Sequence, residues 1–464
     1  IYSNLFSYSN SLVFSLYNRQ ALGYNLRNYC VFIFYGKYCV FYRAYQIGDG
    51  LCKSVGSEII ETMKNISSIE NCYGCGVCGA VCGKRIIKLR LNADGFYEPF
   101  ITDQNICSHC GLCVECCAYV HQERSGNQNE VKSYAAWSKQ KEIRQKCSSG
   151  GIAYELGRQL LEQGYKACGV RYNVQMQRAE HFIATTPQEY IQSIGSKYIQ
   201  SYTLEAFQAI NRKERYFVTG TPCQIDSFRC YIKKFSVEDH FVLLDFFCHG
   251  VPSIHVWTKY LKEIEKKTGK IQYVSWRNKT TEGFDVQNGG EDQKRIKWTE
   301  SYRICIQGER KGYIAEEVQK DHFYTLFLSN ICLGRACYEK CKYKYLSSAA
   351  DIRIGDLWGK TYQENEEGVN ALLTFTAKGQ EIVAGLKNCV IDSQTLAVVT
   401  EGQLKKNLST PLLRRKAMVL LKQEGTDLKK VIYLANKWNR IKAIKYYVLH
   451  PFLMWCRIKR KMKQ

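Results

Sequence analysis

Two runs of cysteine define the chemistry open to this chain. Cys72, Cys75, Cys78 and Cys82 follow the spacing C-x2-C-x2-C-x3-C, and Cys107, Cys110, Cys113 and Cys117 repeat it. Three thiolates two residues apart wrap a tight loop around one iron–sulfur cube, and the fourth crosses to a second cube. By that rule Cys72, Cys75, Cys78 and Cys117 hold one [4Fe–4S] cluster, and Cys107, Cys110, Cys113 and Cys82 hold the other. Gly74, Gly76, Gly79 and Gly111 stand within the runs, where the backbone must approach the sulfides. A pair of structural zinc sites is the competing reading, because four-cysteine zinc also uses C-x2-C pairs, but it has no need of the triple spacing twice over. Gly74-x-Gly76-x-x-Gly79 matches a dinucleotide fingerprint by letter only, since it lies inside the cluster loop with no strand before it. Gly83 and Ala118 stand where proline usually follows the fourth cysteine, and Cys116 adds a thiol beside Cys117.

The elements that must position these ligands follow from the residues between them. Ile86 to Asn92 and Phe96 to Ile101 read as strands joined by a turn at Ala93-Asp94-Gly95. Residues 63–125 thus form a ferredoxin-like two-cluster domain. From about residue 131 the pattern changes to alternating strands and helices. Ser148-Ser149-Gly150-Gly151 opens a helix with Ile152, Leu156, Leu160 and Leu161 on one face, ending at Gly164. Free N–H groups at such a start form a phosphate-sized anion site. The strand Tyr216 to Thr219 runs into Gly220-Thr221-Pro222-Cys223-Gln224, where Pro222 suits the first turn of a helix. The strand Phe241 to Phe247 leads into Cys248-His249-Gly250-Val251-Pro252 and a long amphipathic helix to about Lys267. Strand, glycine turn and helix, twice over, describe an α/β core with its ligand at the strand ends. Asp245 and Asp356 fall near strand ends, where a carboxylate caps a helix or pairs with a base.

These motifs carry a family resemblance. Cys72 to Cys82, Ser148 to Gly151, Gly195-Ser196-Lys197-Tyr198-Ile199-Gln200-Ser201, Gly220 to Gln224, Cys248 to Ser253 and Asp351-Ile352-Arg353-Ile354-Gly355-Asp356-Leu357-Trp358-Gly359 occur in an order that resembles the coenzyme F420 hydrogenase/dehydrogenase beta subunit family, over roughly residues 63 to 400. The resemblance implies an iron–sulfur flavoprotein with a mixed α/β flavin domain at 131–400. It implies electron movement between clusters, FAD and an organic hydride carrier or substrate, with the deazaflavin coenzyme F420 among the candidates. By resemblance FAD lies against Ser148, Ser149, Gly150, Gly151, Gly195, Ser196, Lys197, Tyr198, Gly220, Thr221, Pro222 and Gln224. Lys197 then offsets a phosphate charge or donates to the flavin ring, against the plainer reading of a solvated turn lysine. His249 is the candidate for proton handling, against a structural histidine. A third [4Fe–4S] cluster is implied at Cys223, Cys248, Cys337 and Cys341. The last pair is spaced C-x3-C where x2 is expected, which leaves Cys332 as a substitute ligand and buried free thiols as the alternative.

Composition bounds the rest. The chain has 464 residues, 45% of them hydrophobic, and 23 cysteines, more than disulfide-free cytosolic enzymes carry without metal. No run of eighteen uncharged apolar residues occurs and no signal peptide is visible, which with iron–sulfur ligation points to a reducing cytoplasm. The net charge is +23, and residues 403–464 hold seventeen Lys and Arg against Glu424 and Asp427 alone. This basic tail, with Leu412, Leu413, Val419, Leu420 and Leu421 among its bases, reads as helical segments that rest on anionic lipid or cover the core. A nucleic-acid-binding metalloprotein would instead interleave basic and aromatic residues on a binding module, and no such signature is present. Residues 1–62 contain no Met, Pro, His or Trp yet fourteen Tyr and Phe, so they read as an extension ahead of a natural start at Met63. The leading reading is a redox enzyme serving a redox partner protein or a small organic substrate. Its rival is an electron-relay subunit with no bond chemistry of its own.

Overall fold

The computed structural model describes residues 65–121, 131–279, 298–315 and 320–449, together with strand segments within 1–51. The chain divides into two compact units, Ile1–Met63 and Lys64–Gln464. In the first, strands Ser7–Tyr8, Ser11–Tyr17, Arg27–Tyr35, Tyr38–Ile47 and Gly50–Leu51 pair antiparallel in sequence order. Apart from these strands, the sequence reading of 1–62 as an extension lies outside the described residues.

The second unit opens with the cysteine loops around a hairpin, β1 (Ile87–Leu91) and β2 (Tyr97–Ile101). The first strand is one residue shorter at both ends than the sequence suggests, and the second starts one residue later. Asn92 closes the turn, its Oδ1 accepting from Asp94 N at 3.0 Å and Phe96 N at 3.1 Å. Two short helices, α1 (Val77–Val81) and α2 (Leu112–Glu115), sit inside the two cysteine runs.

A nine-stranded mixed sheet forms the body. Its strands are β3 (Lys132–Ser138), β4 (Lys166–Asn173), β5 (Arg178–Ala184), β6 (Ser201–Tyr202), β7 (Tyr216–Thr219), β8 (Phe241–Phe246), and, after the smaller sheet of β9 (Ile271–Ser275), β10 (Cys305–Gly308) and β11 (Gly312–Ile314), β12 (Ile352–Asp356), β13 (Asn370–Thr374) and β14 (Cys389–Ser393). The order is β6-β5-β4-β7-β8-β12-β13-β3-β14. Its centre, β4-β7-β8-β12, is parallel, and β13, β3 and β14 complete it antiparallel. Parallel neighbours need crossovers, which the helices supply. Helix α3 (Ile152–Glu162) buries Ile152, Leu156, Leu160 and Leu161 against the sheet, as their spacing requires. Helix α4 (Leu204–Ala209) precedes β7, and α5 (Pro222–Lys234) links β7 to β8. Helix α6 (Ile254–Thr268) carries Trp257 and Tyr260 into a second core with Trp276, α7 (His322–Ser329) and the C-terminal helices α9 (Arg414–Lys422) and α10 (Leu428–Leu449), while α8 (Arg335–Glu339) lies beside the last cysteine pair. The cysteine loops and the α/β body fall within the one compact unit Lys64–Gln464.

Asp245 and Arg353 stand opposite each other on β8 and β12, both fully buried. The guanidinium makes a two-point bridge, Nε to Oδ1 and Nη2 to Oδ2, each at 2.6 Å. Its remaining donors hold the carbonyls of Tyr343, Tyr345 and Ser347, so the pair fixes the loop leading into β12. Asp245→Ala, which strands the buried cation, is expected to lower stability by about 3–5 kcal/mol in urea unfolding; an unchanged midpoint would refute the role given to the bridge.

His181 on β5 donates Nε2–H to Thr219 O at 3.0 Å, and its buried Nδ1 has no partner. Burial pulls its pKa down to about 4. Below about 6.5 the unfolded chain takes up a proton that the fold refuses. Stability contributed by the neutral ring is thus lost as pH falls from about 6.5 towards about 4. His181→Gln should flatten that stretch of the stability-versus-pH curve, and an equally steep curve in the variant would contradict the assignment.

Candidate functional site

The cysteine runs converge as the crossing rule requires. Cys72, Cys75, Cys78 and Cys117 line one small cavity together with Ile66, Ile69, Tyr73 and Pro99. Charge on neighbouring thiols acts within this set: Cys75 and Cys117 act on Cys72, and Cys75, Cys117 and Cys72 act on Cys78. Burial pushes the Cys117 thiol up to about 12, with Cys75 adding to the rise. In the second set Cys113 feels Cys110, Cys82 and Cys107, and Cys110 is exposed at the surface. The fourth cysteine of each run thus faces the other run's triplet. Four buried thiols facing one space are stable as thiolates only with a cation among them, which is the condition a cluster's iron meets. Among the described residues no group of three or more His, Cys, Asp or Glu is close enough for a single metal ion. Cys116 also lines the first cavity, and it feels both Cys230 and Cys113.

This loop is bolted to the body by side chains of the α/β domain. Gln200 accepts from Tyr97 N at 2.8 Å and donates to Tyr73 O at 3.2 Å. Thr203 Oγ1 donates to Cys75 O at 2.9 Å, Gln208 Nε2 to Gly79 O at 2.9 Å, and Ala118 N to Ser227 Oγ at 3.2 Å. Gly74 and Gly76 have φ of +63° and +74°, and a Cβ would stand 2.2 Å from Tyr97 O in the first case and 2.2 Å from Thr203 Oγ1 in the second. The left-handed turn and the close approach both demand glycine there.

Cys223, Cys248, Cys337 and Cys341 form a third group. Cys223 feels the other three, and Cys337 feels Cys248 and Cys341. Burial pushes Cys337 up to about 12. Lys344 donates Nζ to the carbonyls of Cys248 at 2.6 Å and His249 at 3.1 Å, setting a positive charge beside the group. Helix α8 carries Cys337 and ends before Cys341. Cys332 is buried in the hydrophobic core near Arg414. Tyr73, on the wall of the first thiol cavity, feels Cys223 and Cys341 and meets Tyr343 edge-on at 5.8 Å.

A cavity of about 430 Å³, within the usual range for cofactor sites, opens along the strand ends beside this group. Ser148, Ser149, Gly151, Gly195, Ser196, Lys197, Tyr198, Gly220, Thr221, Gln224, Cys248 and His249 all line it. Gly150 and Pro222 do not. Gly150 packs against Ala136 O and Asn370, and Pro222 forms the first turn of α5. Ser196 N donates to Ser148 Oγ at 3.1 Å, tying two of the motifs together. At the start of α3, Asn370 Oδ1 takes Ile152 N–H at 3.1 Å, and Ala153 and Tyr154 follow along the cavity wall. Gln224 caps α5 by accepting from Thr221 N at 2.8 Å and donates to Ser201 Oγ at 3.1 Å.

Lys197 lines the cavity with its ammonium turned back onto the preceding turn. Its Nζ sits among the carbonyls of Gln192, Ser193, Ile194 and Gly195 at 2.9–3.3 Å, and burial pulls its pKa down to about 7. Lys279, which the motifs did not mark, does the same beneath Ser149, donating to the carbonyls of Arg144 and Ser149 at 2.7 Å and to Glu367 O. His249 Nε2 meets Asn330 Oδ1, so it must donate there, and burial lowers its pKa. One wall is aromatic: Tyr198, Tyr302 and Trp358 stack at 6.5 and 6.1 Å with interplanar angles of 21° and 11°, and Arg277, paired with Asp356, lies over Tyr302 at 4.6 Å. Asp356 and Trp358 belong to the run Asp351 to Gly359, whereas Arg277, Lys279 and Tyr302 carry no local signal in sequence.

Residues 133–208 match the family model for the N-terminal part of the coenzyme F420 hydrogenase/dehydrogenase beta subunit, and residues 213–397 match the model for its C-terminal part. No curated protein matches the chain. Among solved structures, one titled as a xenon derivative of the F420-reducing [NiFe] hydrogenase complex from Methanosarcina barkeri is similar at 19% identity and a TM-score of 0.38, over 66% of this chain and 90% of that one. The two matched segments span most of the α/β body in order, and the chain belongs to the coenzyme F420 hydrogenase/dehydrogenase beta subunit family, an oxidoreductase component.

Proposed function

We propose that the chain is an iron–sulfur flavoprotein that exchanges electrons with a protein partner and delivers them to an organic acceptor, using three [4Fe–4S] clusters and FAD. The observation that carries this reading is contiguity. The first thiol cavity, the third thiol group and the large cavity share neighbours: Tyr73 borders the first two, and Cys248 and Tyr343 connect to the third. A flavin supplies the conversion between one-electron carriers and two-electron organic chemistry.

The chain's own residues would do the holding. The α3 start and the Ser148–Ser196 contact form the polar end of the cavity, suited to phosphate. Lys197 and Lys279 act at one remove, gripping the loops that shape that end rather than touching the ligand. Tyr198, Tyr302 and Trp358 offer a flat apolar face to a conjugated ring. His249, with Nε2–H committed to Asn330, keeps Nδ1 as a proton acceptor on the cavity side of the third thiol group. The acceptor is coenzyme F420 or another organic hydride carrier. A cavity of this size favours an enzyme over a pure relay, which needs no such space.

Anaerobic purification with iron, labile sulfide and flavin measured together tests the proposal. About twelve irons and about one flavin per chain are expected, at four irons per cluster. Cys223→Ser should remove about four irons and leave the ferredoxin-like clusters in place. About eight irons without flavin would favour the relay, and zinc in place of iron would end the redox reading.

A further inference from the structure

The outward faces of α9 and α10 serve neither the thiol groups nor the large cavity. Both helices are clamped by one row of apolar residues: Ala417, Met418 and Leu421 on α9, and Leu428, Val431, Ala435 and Trp438 on α10, all buried. The opposite row of α10 runs Lys430, Tyr433, Lys437, Arg440, Ile444 and Val448, at intervals of three and four residues that keep it on one face. All six are exposed. Within this row Tyr433, Ile444 and Val448 are 66%, 63% and 71% exposed, large apolar side chains in water beside cations. Neither helix contains an acidic residue, while Arg415, Lys416, Lys429 and Lys445 add exposed bases around the stripe and Lys422 pairs with Asp94.

We propose that this stripe docks the protein on an anionic phospholipid surface, with α10 lying along it. Two properties select the occupant. Basic side chains without a single acid among them complement a negatively charged leaflet, and each gains from approaching it. The exposed Ile444 and Val448, in line with those bases, suit the boundary between headgroups and acyl chains, and the amphipathic ring of Tyr433 suits the same depth. A phosphate backbone would satisfy the charge but leave the apolar members of the stripe in water. The sequence beyond the described residues continues with Phe452-Leu453-Met454-Trp455 and five more bases. No described helix is long and apolar enough to cross a membrane, so the contact would be a peripheral one. This contact is independent of which cofactors the thiol groups and the large cavity hold.

Flotation of the full chain with phosphatidylglycerol or phosphatidylcholine vesicles tests it. The protein should float with phosphatidylglycerol at low salt, stay behind with phosphatidylcholine, and be released as salt screens the charge. The variant Lys437→Glu/Arg440→Glu/Lys445→Glu should lose at least about tenfold in vesicle binding, the scale of several screened charges acting together. Ile444→Asp, an exposed position that folding does not use, should weaken binding severalfold at unchanged salt dependence. Absence of flotation with phosphatidylglycerol would overturn the proposal. So would wild-type flotation of Ile444→Asp, or full displacement from vesicles by single-stranded RNA at equal charge.

Discussion

Everything in the second unit depends on the hydrogen bonds that fasten the cysteine loops to the α/β body. Electron exchange weakens steeply with separation, so clusters on a tethered module would exchange electrons with the body only when the module happened to dock. Here docking is built in. Gln200 spans Tyr73 and Tyr97, Thr203 and Gln208 each hold a backbone carbonyl of the first cysteine run, and Ser227 holds the residue after Cys117. From the other side the hairpin turn is gripped by α6: Ile254 N donates to Gly95 O at 2.9 Å, and Ser253 Oγ to Asp94 O at 2.6 Å. Backbone carbonyls buried at such a seam need partners, and those partners fix the seam.

The same principle shapes the cavity. Its walls are mostly irregular segments, whose carbonyls have no ladder to join. Buried cations take the place of regular structure: Arg353 gathers the loop at 343–347, Lys344 the carbonyls of Cys248 and His249, Lys197 the turn at 192–195, and Lys279 the segment under Ser149. Only Arg353 has a full carboxylate partner, and it is also the most deeply buried of the four. Desolvation is accepted where the head group is shared among several oxygens, because each added acceptor offsets part of the loss of water. The depressed lysine pKa values near 7 report what remains of that desolvation.

The grouping of the cysteines was legible in sequence because spacing is local. A loop of three thiolates two residues apart is written in consecutive residues, and even the exchange of fourth ligands follows from the spacing rule. The α3 and α6 helices were equally legible through apolar periodicity, as with Leu156 and Leu160. What sequence could not show was contact across hundreds of residues. Lys279 reaches Arg144 and Ser149, and Arg277 reaches Asp356, from a segment with no motif of its own. Lys197 is a different case. The motif marked the residue, but its side chain turned back onto the preceding turn, which nothing in the run Gly195 to Ser201 announces. Cys332 is eligible by spacing, and its burial in the apolar core was equally hidden from sequence.

The order of the sites gives the molecule a direction. Cys110 is exposed while Cys75 and Cys78 are buried, so the second thiol set comes nearer to solvent than the first. Beyond the first lie Tyr73, the third group and then the cavity, where His249 and the aromatic wall stand. A partner that exchanges single electrons needs only an edge at the surface, whereas chemistry on an organic molecule gains from a water-poor site in which charge interactions are stronger. Placing the exposed thiols at one end and the cavity at the other separates these two requirements in space. The docked seam between them then matters more than either end, because it is the part that both must share.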